Sequence, residues 1–289
     1  MLSSGEIGAD ARRVAAIALA EDGPFDITSE SSIPAAQRGT ATIVARDATV
    51  LAGTAWVDAV VARCGLGPVD WHRLNGDPVQ VGAAIGTVAG GVAALLRAER
   101  PALNLLQRAC AVAALTRRFV ELLAGTGCTV LHTRKTTPGL RLFEIAAVMA
   151  GGGGMHRQNL TETVLLKDNH WRAMRQSGRS VAMALDVARG QGATGLIVEV
   201  EEATQVAEAS LAGATRLLID NQSPALVREW GAVARRLRPG IEIEASGGIT
   251  LGNALEYARA GADYVSVGAL TTGPPVPDLA LDVAGEAIA

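Results

Sequence analysis

Arg134 and Lys135 stand side by side in the stretch HTRKTTPGL, residues 132–140, with Thr133 before them and Thr136 and Thr137 after. Two adjacent cations among three hydroxyls, placed directly after the apolar run Cys128–Leu131, suit an anion better than a plain turn. Comparable groups recur along the chain. Gly151–Gly154 lead straight into Met155, His156 and Arg157, and Val164–Leu166 is followed by Lys167, Asp168, Asn169 and His170. Further on come Glu199 with Glu201, Asp220 with Asn221, Ser246–Gly247–Gly248, and Gly268–Ala269. Each alone has a bland reading as a solvated turn, a flexible connection or a surface carboxylate. Their chemistry becomes specific only if the fold brings them to one place.

Brought together, Arg134, Lys135, His156, Arg157 and Lys167 form a cationic group worth burying only against a polyanion. Ser246–Gly248 and the turn at Gly268 offer backbone N–H groups where a helix is expected to begin, which suits a phosphate monoester. Glu199 and Asp220 are acceptors in an otherwise positive site and suit sugar hydroxyls or a Mg²⁺ shared with phosphate oxygens. The implied ligand is a phosphorylated sugar accompanied by more than one anionic group. The chain has no Gly-x-x-x-x-Gly-Lys loop, which excludes P-loop nucleotide chemistry.

Bulk properties narrow the setting. With 289 residues, 49% hydrophobic and 19% charged, the chain is globular and long enough for a large core or two. A net charge of -3 gives no basic field for nucleic acid, so any cluster of cations is local. The most apolar run, Ile145–Met155, is about half the length of a spanning helix and contains four glycines, so no membrane partner is expected. Cys64, Cys110 and Cys128 have neither metal nor redox spacing, and MLSSGEIGADARR lacks a signal-peptide layout. A cytoplasmic protein with reduced thiols is the expectation.

The elements that must position these residues can be read from periodicity. ADARRVAAIALAED has helical apolar spacing, TATIVARDATVLAG alternates like strands, and AWVDAVVARCG returns to a helix. GDPVQVGAAIGTVAGGVAALLRAE reads as turn-punctuated β-structure, after which Pro101 opens a long helix over PALNLLQRACAVAALTRRFVELLAGTG. From there apolar runs near Val130–Leu131, Val164–Leu166, Leu196–Val198, Leu217–Ile219, Ile241–Ile243 and Tyr264–Val267 alternate with helical stretches. That rhythm predicts parallel βαβ units forming a closed or incomplete barrel from about residue 110 to 270, preceded by a smaller α+β domain. In such barrels chemistry sits at the C-terminal strand ends, where the groups above all fall.

The stretch HTRKTTPGLRLFEIAAVMAGGGGMHRQNLTETVLLKDNH closely resembles the signature of the quinolinate phosphoribosyltransferase family, the carboxylating nicotinate-nucleotide pyrophosphorylases. The likeness extends over ALAEDGPFDITSESSIP, ERPALNLLQR, VEVEE, LLIDNQSP, EASGGITLGN and YVSVGALT, in order along nearly the whole chain. It implies an α/β fold: an incomplete parallel α/β barrel over 109–273 with a smaller N-terminal α+β sandwich domain over 1–108, completed by the tail 274–289. It implies phosphoribosyl transfer from 5-phosphoribosyl 1-diphosphate to quinolinate with decarboxylation, Mg²⁺ as cofactor, and a homodimer whose subunits share active sites.

Carried over by residue, the resemblance gives Arg100 a reach into the partner's site. Thr133, Arg134, Lys135, His156, Arg157 and Lys167 would bind the carboxylates of quinolinate and the phosphates. Glu199 and Asp220 would hold ribose hydroxyls and magnesium, and Ser246, Gly247, Gly248, Val267, Gly268 and Ala269 the 5′-phosphate. Lys135, Lys167, Glu199 and Asp220 would carry catalysis.

Three positions depart from the family pattern: His132 stands for Asp, Met155 for Asn, and Thr272 for His. None removes a charged ligand. The rival readings are a paralogue of the same fold associated with molybdenum transport genes, a Schiff-base phosphosugar aldolase using Lys167, and a non-catalytic phosphosugar-binding protein.

Overall fold

The computed structural model describes residues 2–286. The chain forms two compact units. One comprises Met1–Arg117, Thr136–Gly152 and Leu270–Ala289, the other Arg118–Lys135 and Gly153–Ala269.

The first unit is built on a four-stranded antiparallel sheet of Leu279–Gly285, Arg38–Ala45, Ala84–Gly91 and Asp70–Trp71, in that order across the sheet. The Arg38–Ala45 strand alternates in burial, with Ala41, Ile43 and Ala45 turned inward. Ile43, Val88 and Leu281 from three strands share a small apolar space with Val57, Val61, Leu95 and Ala98 from helices, so one face of the sheet is covered by helices. Thr54–Arg63 and Val92–Leu122 supply those helical residues. The Leu279–Gly285 strand pairs with Arg38–Ala45 from Gly39↔Gly285 to Ala45↔Leu279. Residues 287–289 of the expected tail lie outside the described residues.

One local expectation is corrected. The long helix does not open at Pro101 but at Val92, and Pro101 lies inside it. The residues VAALLRAE, read as the end of β-structure, are mostly good helix formers once the strand has closed on Gly90 and Gly91. An interior Pro removes one N–H from the helix and costs about 3 kcal/mol. Buried Leu95 and Ala98 before it, and Ala102, Leu103 and Leu106 after it, offset that cost by packing.

The second unit is the parallel α/β layer predicted from the rhythm of apolar runs. Six strands, Thr129–Leu131, Thr163–Leu166, Gly195–Val200, Arg216–Asp220, Glu242–Ser246 and Tyr264–Ser266, form one sheet. Its ladders are parallel, and its edges are Thr129–Leu131 and Thr163–Leu166. The barrel is therefore incomplete, open between the two edge strands. Helices Asp168–Gln176, Val181–Gly190, Ala203–Leu211 and Pro224–Leu237 lie between successive strands in the chain, with Trp171, Leu185, Val206 and Val227 among their buried residues. Among the described residues no helix is long and apolar enough to cross a membrane.

Candidate functional site

Side chains two apart on a strand share a face, and that period builds the site. Leu165, Ile197 and Leu218 meet in one buried apolar cluster. Two residues beyond each, on the same face, come Lys167, Glu199 and Asp220. On the neighbouring strands Glu244 is followed by Ser246 and Ser266 by Gly268. An apolar or buried layer thus sits one step inside a ring of polar residues at the strand ends.

These ends surround a cavity of about 460 Å³. Of the residues expected from sequence, Thr133, Arg134, Lys135, His156, Arg157, Lys167, Asp220, Ser246, Gly247 and Gly248 line it. Glu199 sits behind Lys167, whose Nζ donates to Glu199 Oε2 in a short hydrogen bond. Gly268 closes against the same wall, since a Cβ there would stand 3.2 Å from Lys135 Cδ and 3.8 Å from Thr133 Oγ1. Val267 is buried and its N–H already donates to the Leu131 carbonyl at 3.0 Å. Ala269 opens a one-turn helix, Ala269–Thr272. Arg100 belongs to the other unit, where it is exposed and 4.0 Å from Glu99.

Lys167 and His156 already face the carboxylates of Glu199 and Glu244, so the unmet hydrogen-bonding capacity lies at Arg157. Arg157 donates Nη1–H to the Thr163 carbonyl at 3.3 Å, but its buried Nε has no hydrogen-bond partner. Burial first, and the nearby Arg134 cation second, press the Arg157 guanidinium below its ordinary pKa, while Glu199 works the other way. A buried donor left unmade is costly, so the cavity is suited to an anion placed against Arg157.

Three carboxylates gather on one side. Oxygens of Glu199, Glu201 and Asp220 lie within 4.8 Å of one another, a cluster that could hold a metal ion. Glu199 is buried, Glu201 exposed and Asp220 between the two. Burial, then the carboxylates of Asp168, Glu199, Asp220 and Glu202, raise the pKa of Glu201 above its ordinary value. Hard oxygen donors of this kind fit a small divalent cation that also takes phosphate oxygens.

The glycine turn after Ser246 differs from its expected setting. The next helix is the short Ala254–Arg259, so Gly247 and Gly248 form a turn of their own. Both have left-handed backbones, with φ of 87° and 61°. A Cβ on Gly247 would lie 2.2 Å from Asn221 Oδ1 and 2.9 Å from the Asn221 backbone nitrogen, so only glycine fits. Asn221 itself is the one non-glycine residue with positive φ among the described residues, at 53°. It donates Nδ2–H to Asp220 at 2.6 Å and its backbone N–H to the Ser246 carbonyl at 2.9 Å. Such a tolerated distortion next to a carboxylate and a glycine turn is typical of binding sites.

Sequence reasoning did not assign Glu244 or Ser266 to the cavity they line, and noticed Asn221 only as a strand-end neighbour of Asp220 and His132 only as a departure from the family pattern. Strand parity would have found Glu244, because it shares a face with Ser246. Glu244 is fully buried, with His156 Nε2 at 3.3 Å and Arg216 Nη1 at 3.2 Å from its Oε2. Its Oε1 is buried without a hydrogen-bond partner. Burial pushes the Glu244 pKa up, but the hydrogen bond from His156, then the charge of Arg216 and a hydrogen bond from Ser266, outweigh it and hold it below the ordinary value. Arg216 also stacks over Tyr264 at 3.9 Å and pairs with Glu242 at 2.9 Å, closing a polar inner layer.

The departures from the family pattern have visible settings. Met155 Sδ accepts from Gln158 Nε2 at 3.2 Å. His132 is buried, and Thr272 is exposed in the other unit.

Family models and relatives match this chain over most of its length. The family model for the quinolinate phosphoribosyl transferase C-terminal domain matches residues 112–282, and that for the N-terminal domain matches 26–110. The nicotinate-nucleotide pyrophosphorylase [carboxylating] of Mycobacterium leprae is 36% identical over 293 residues, covering 98% of this chain and 100% of that one. The Homo sapiens protein of the same name is 36% identical over 256 residues, covering 86% and 84%. The solved structure of the nicotinate-nucleotide pyrophosphorylase from Francisella tularensis superposes with a TM-score of 0.88 at 30% identity, over 96% of this chain and 97% of that one. With two matching domains and relatives spanning almost its full length, the chain belongs to the quinolinate phosphoribosyltransferase family.

Proposed function

We propose that the protein transfers the phosphoribosyl group of 5-phosphoribosyl 1-diphosphate to the ring nitrogen of quinolinate, releasing diphosphate and CO₂ and giving nicotinate mononucleotide. The observation that carries this reading is the buried, unpartnered Nε of Arg157 in a cavity also walled by Arg134, Lys135 and Lys167. Such a wall suits a small dianion beside a sugar diphosphate and little else. Family membership supplies the identity of both.

In this reading Thr133, Arg134, Lys135, His156, Arg157 and Lys167 bind the quinolinate carboxylates and the phosphates. Glu199 and Asp220 take the ribose hydroxyls, while Ser246, Gly247, Gly248, Val267, Gly268 and Ala269 surround the 5′-phosphate. As diphosphate leaves, C1 of the ribose becomes cation-like and the pyridine nitrogen attacks it. Fixed cations stabilise the departing charge without reorganisation. The ring nitrogen then carries positive charge, and the carboxylate beside it leaves as CO₂; the electron pair stays on ring C2, stabilised by the adjacent cationic nitrogen, until a proton from solvent takes the place of the carboxylate. Positioning carries most of the rate.

The cation suited to Glu199, Glu201 and Asp220 is Mg²⁺, which would neutralise phosphate oxygens of the leaving diphosphate. Lys167 Nζ is committed to a short hydrogen bond with Glu199, which leaves it poorly placed to act as a free Schiff-base amine. We further read 1–108 with the tail 274–289 as one domain and 109–273 as the other, in a cytoplasmic homodimer where Arg100 completes the partner's site.

Calorimetric titration with quinolinate tests the reading. Arg157→Ala is expected to weaken binding by at least about 30-fold, the effect of truncating one side of a buried charge pair. Unchanged affinity would overturn it. For the dimer, mixing Arg100→Ala with Lys167→Ala chains should restore activity; no restoration contradicts shared sites.

A further inference from the structure

The pairing of Gly154 with the Thr129–Leu131 strand ends in an unusual way. Leu131 and Gly154 form a parallel bridge, and the Gly154 N–H donates to the Val130 carbonyl at 2.8 Å. The approach is close enough that a Cβ on Gly154 would sit 2.7 Å from Leu131 Cδ2. In a parallel ladder the next N–H, that of His156, would meet the carbonyl of His132. It meets the His132 side chain instead, with Nε2 accepting at 3.0 Å.

An Nε2 that accepts leaves the ring proton on Nδ1, and Nδ1 faces the Thr133 carbonyl at 3.2 Å. The His132 ring is fully buried, so the His156 N–H depends on it rather than on solvent. The next amide is held the same way, because the Arg157 N–H donates to His156 Nδ1 at 2.7 Å. The remaining ring nitrogen of His156 faces Glu244 at 3.3 Å. Two imidazoles therefore fix two successive peptide N–H groups. The side chain that follows them is Arg157, whose buried Nε is unpartnered.

We propose that His132 is a positioning residue: its Nε2 replaces a backbone rung, latches the His156 amide, and thereby sets where Arg157 presents its guanidinium to a carboxylate of the pyridine substrate. The inference rests on the reading of this cavity as the quinolinate site and deepens it. The atom is specific. Glutamine places an acceptor near Nε2, asparagine places one near Nδ1, and leucine offers none.

The experiment uses the full chain with His132→Gln, His132→Asn and His132→Leu, and measures hydrogen exchange at the His156 amide beside the KM for each substrate. Glutamine should keep that amide protected and hold the quinolinate KM within about threefold of the wild type. Leucine should expose the amide and raise the quinolinate KM about tenfold or more, with the 5-phosphoribosyl 1-diphosphate KM changed less than about threefold. If the leucine chain fails to fold, asparagine carries the comparison and should behave as leucine does. Equal protection in the glutamine and acceptor-lacking chains, or both KM values rising together, would overturn the proposal. Failure of the functional reading is separate: the wild type would then not turn over quinolinate, while the exchange comparison still reports on the latch.

Discussion

His156 Nε2 lies 3.3 Å from Glu244 Oε2, with the His156 side chain 7% exposed and that of Glu244 not exposed at all. The contact ties the middle of the cavity to a carboxylate that also pairs with Arg216 and that sequence reasoning left unnoticed. Its consequence for stability has a definite sign. Glu244 is held below its ordinary pKa of 4.5, so its contribution is complete above that value and disappears as pH falls through the depressed native one. Glu244→Gln should therefore be less stable than the wild type at pH 7, with the gap closing below about pH 4. Denaturant unfolding at both pH values measures it; a gap independent of pH would contradict the assignment.

Glu144 makes a similar commitment in the other unit. It is fully buried, accepts Arg108 Nη2–H at 2.6 Å on Oε1, and takes the Thr137 N–H at 3.0 Å on Oε2. Glu144→Ala would strand the Arg108 cation and is expected to cost about 3–5 kcal/mol. At about 2–4 °C per kcal/mol, the unfolding temperature should drop by roughly 6–20 °C in a thermal scan.

The Gly247 turn predicts a binding defect. With φ at 87° and Asn221 Oδ1 2.2 Å from the place of a Cβ, Gly247→Ala must displace the Asp220–Asn221 strand end or the turn itself. Strain of about 1–3 kcal/mol should appear as a KM for 5-phosphoribosyl 1-diphosphate raised from several-fold to about 100-fold. Steady-state kinetics with quinolinate saturating would show it.

In the proposed reaction, activation by Mg²⁺ should depend on pH. Glu201 titrates above its ordinary 4.5 because of burial and its carboxylate neighbours. A proton there competes with the cation, so the Mg²⁺ concentration needed for half-activation should rise as pH falls toward that raised value. Glu201→Gln should flatten that dependence.

Much of the fold was legible because parallel strands buried on both faces leave continuous apolar runs, as at Leu196–Val198 and Leu217–Ile219. The strand-end groups followed from that rhythm. Pro101 misled because a proline usually opens a helix, and only packing on both sides of it allows the interior position. Glu244 escaped because a carboxylate inside an apolar strand looks like an exposed one until its partners, His156 and Arg216, are brought to it from elsewhere in the chain. His132 stood out in the sequence only as a departure from the family pattern, since its bond is to a backbone amide 24 residues away.

The most direct test of the account follows the carboxylate next to the ring nitrogen. With quinolinate labelled at that carboxyl, the protein is expected to release one labelled CO₂ for each nicotinate mononucleotide formed, only when 5-phosphoribosyl 1-diphosphate and Mg²⁺ are present. Absence of nucleotide formation, or nucleotide that retains the label, would contradict it.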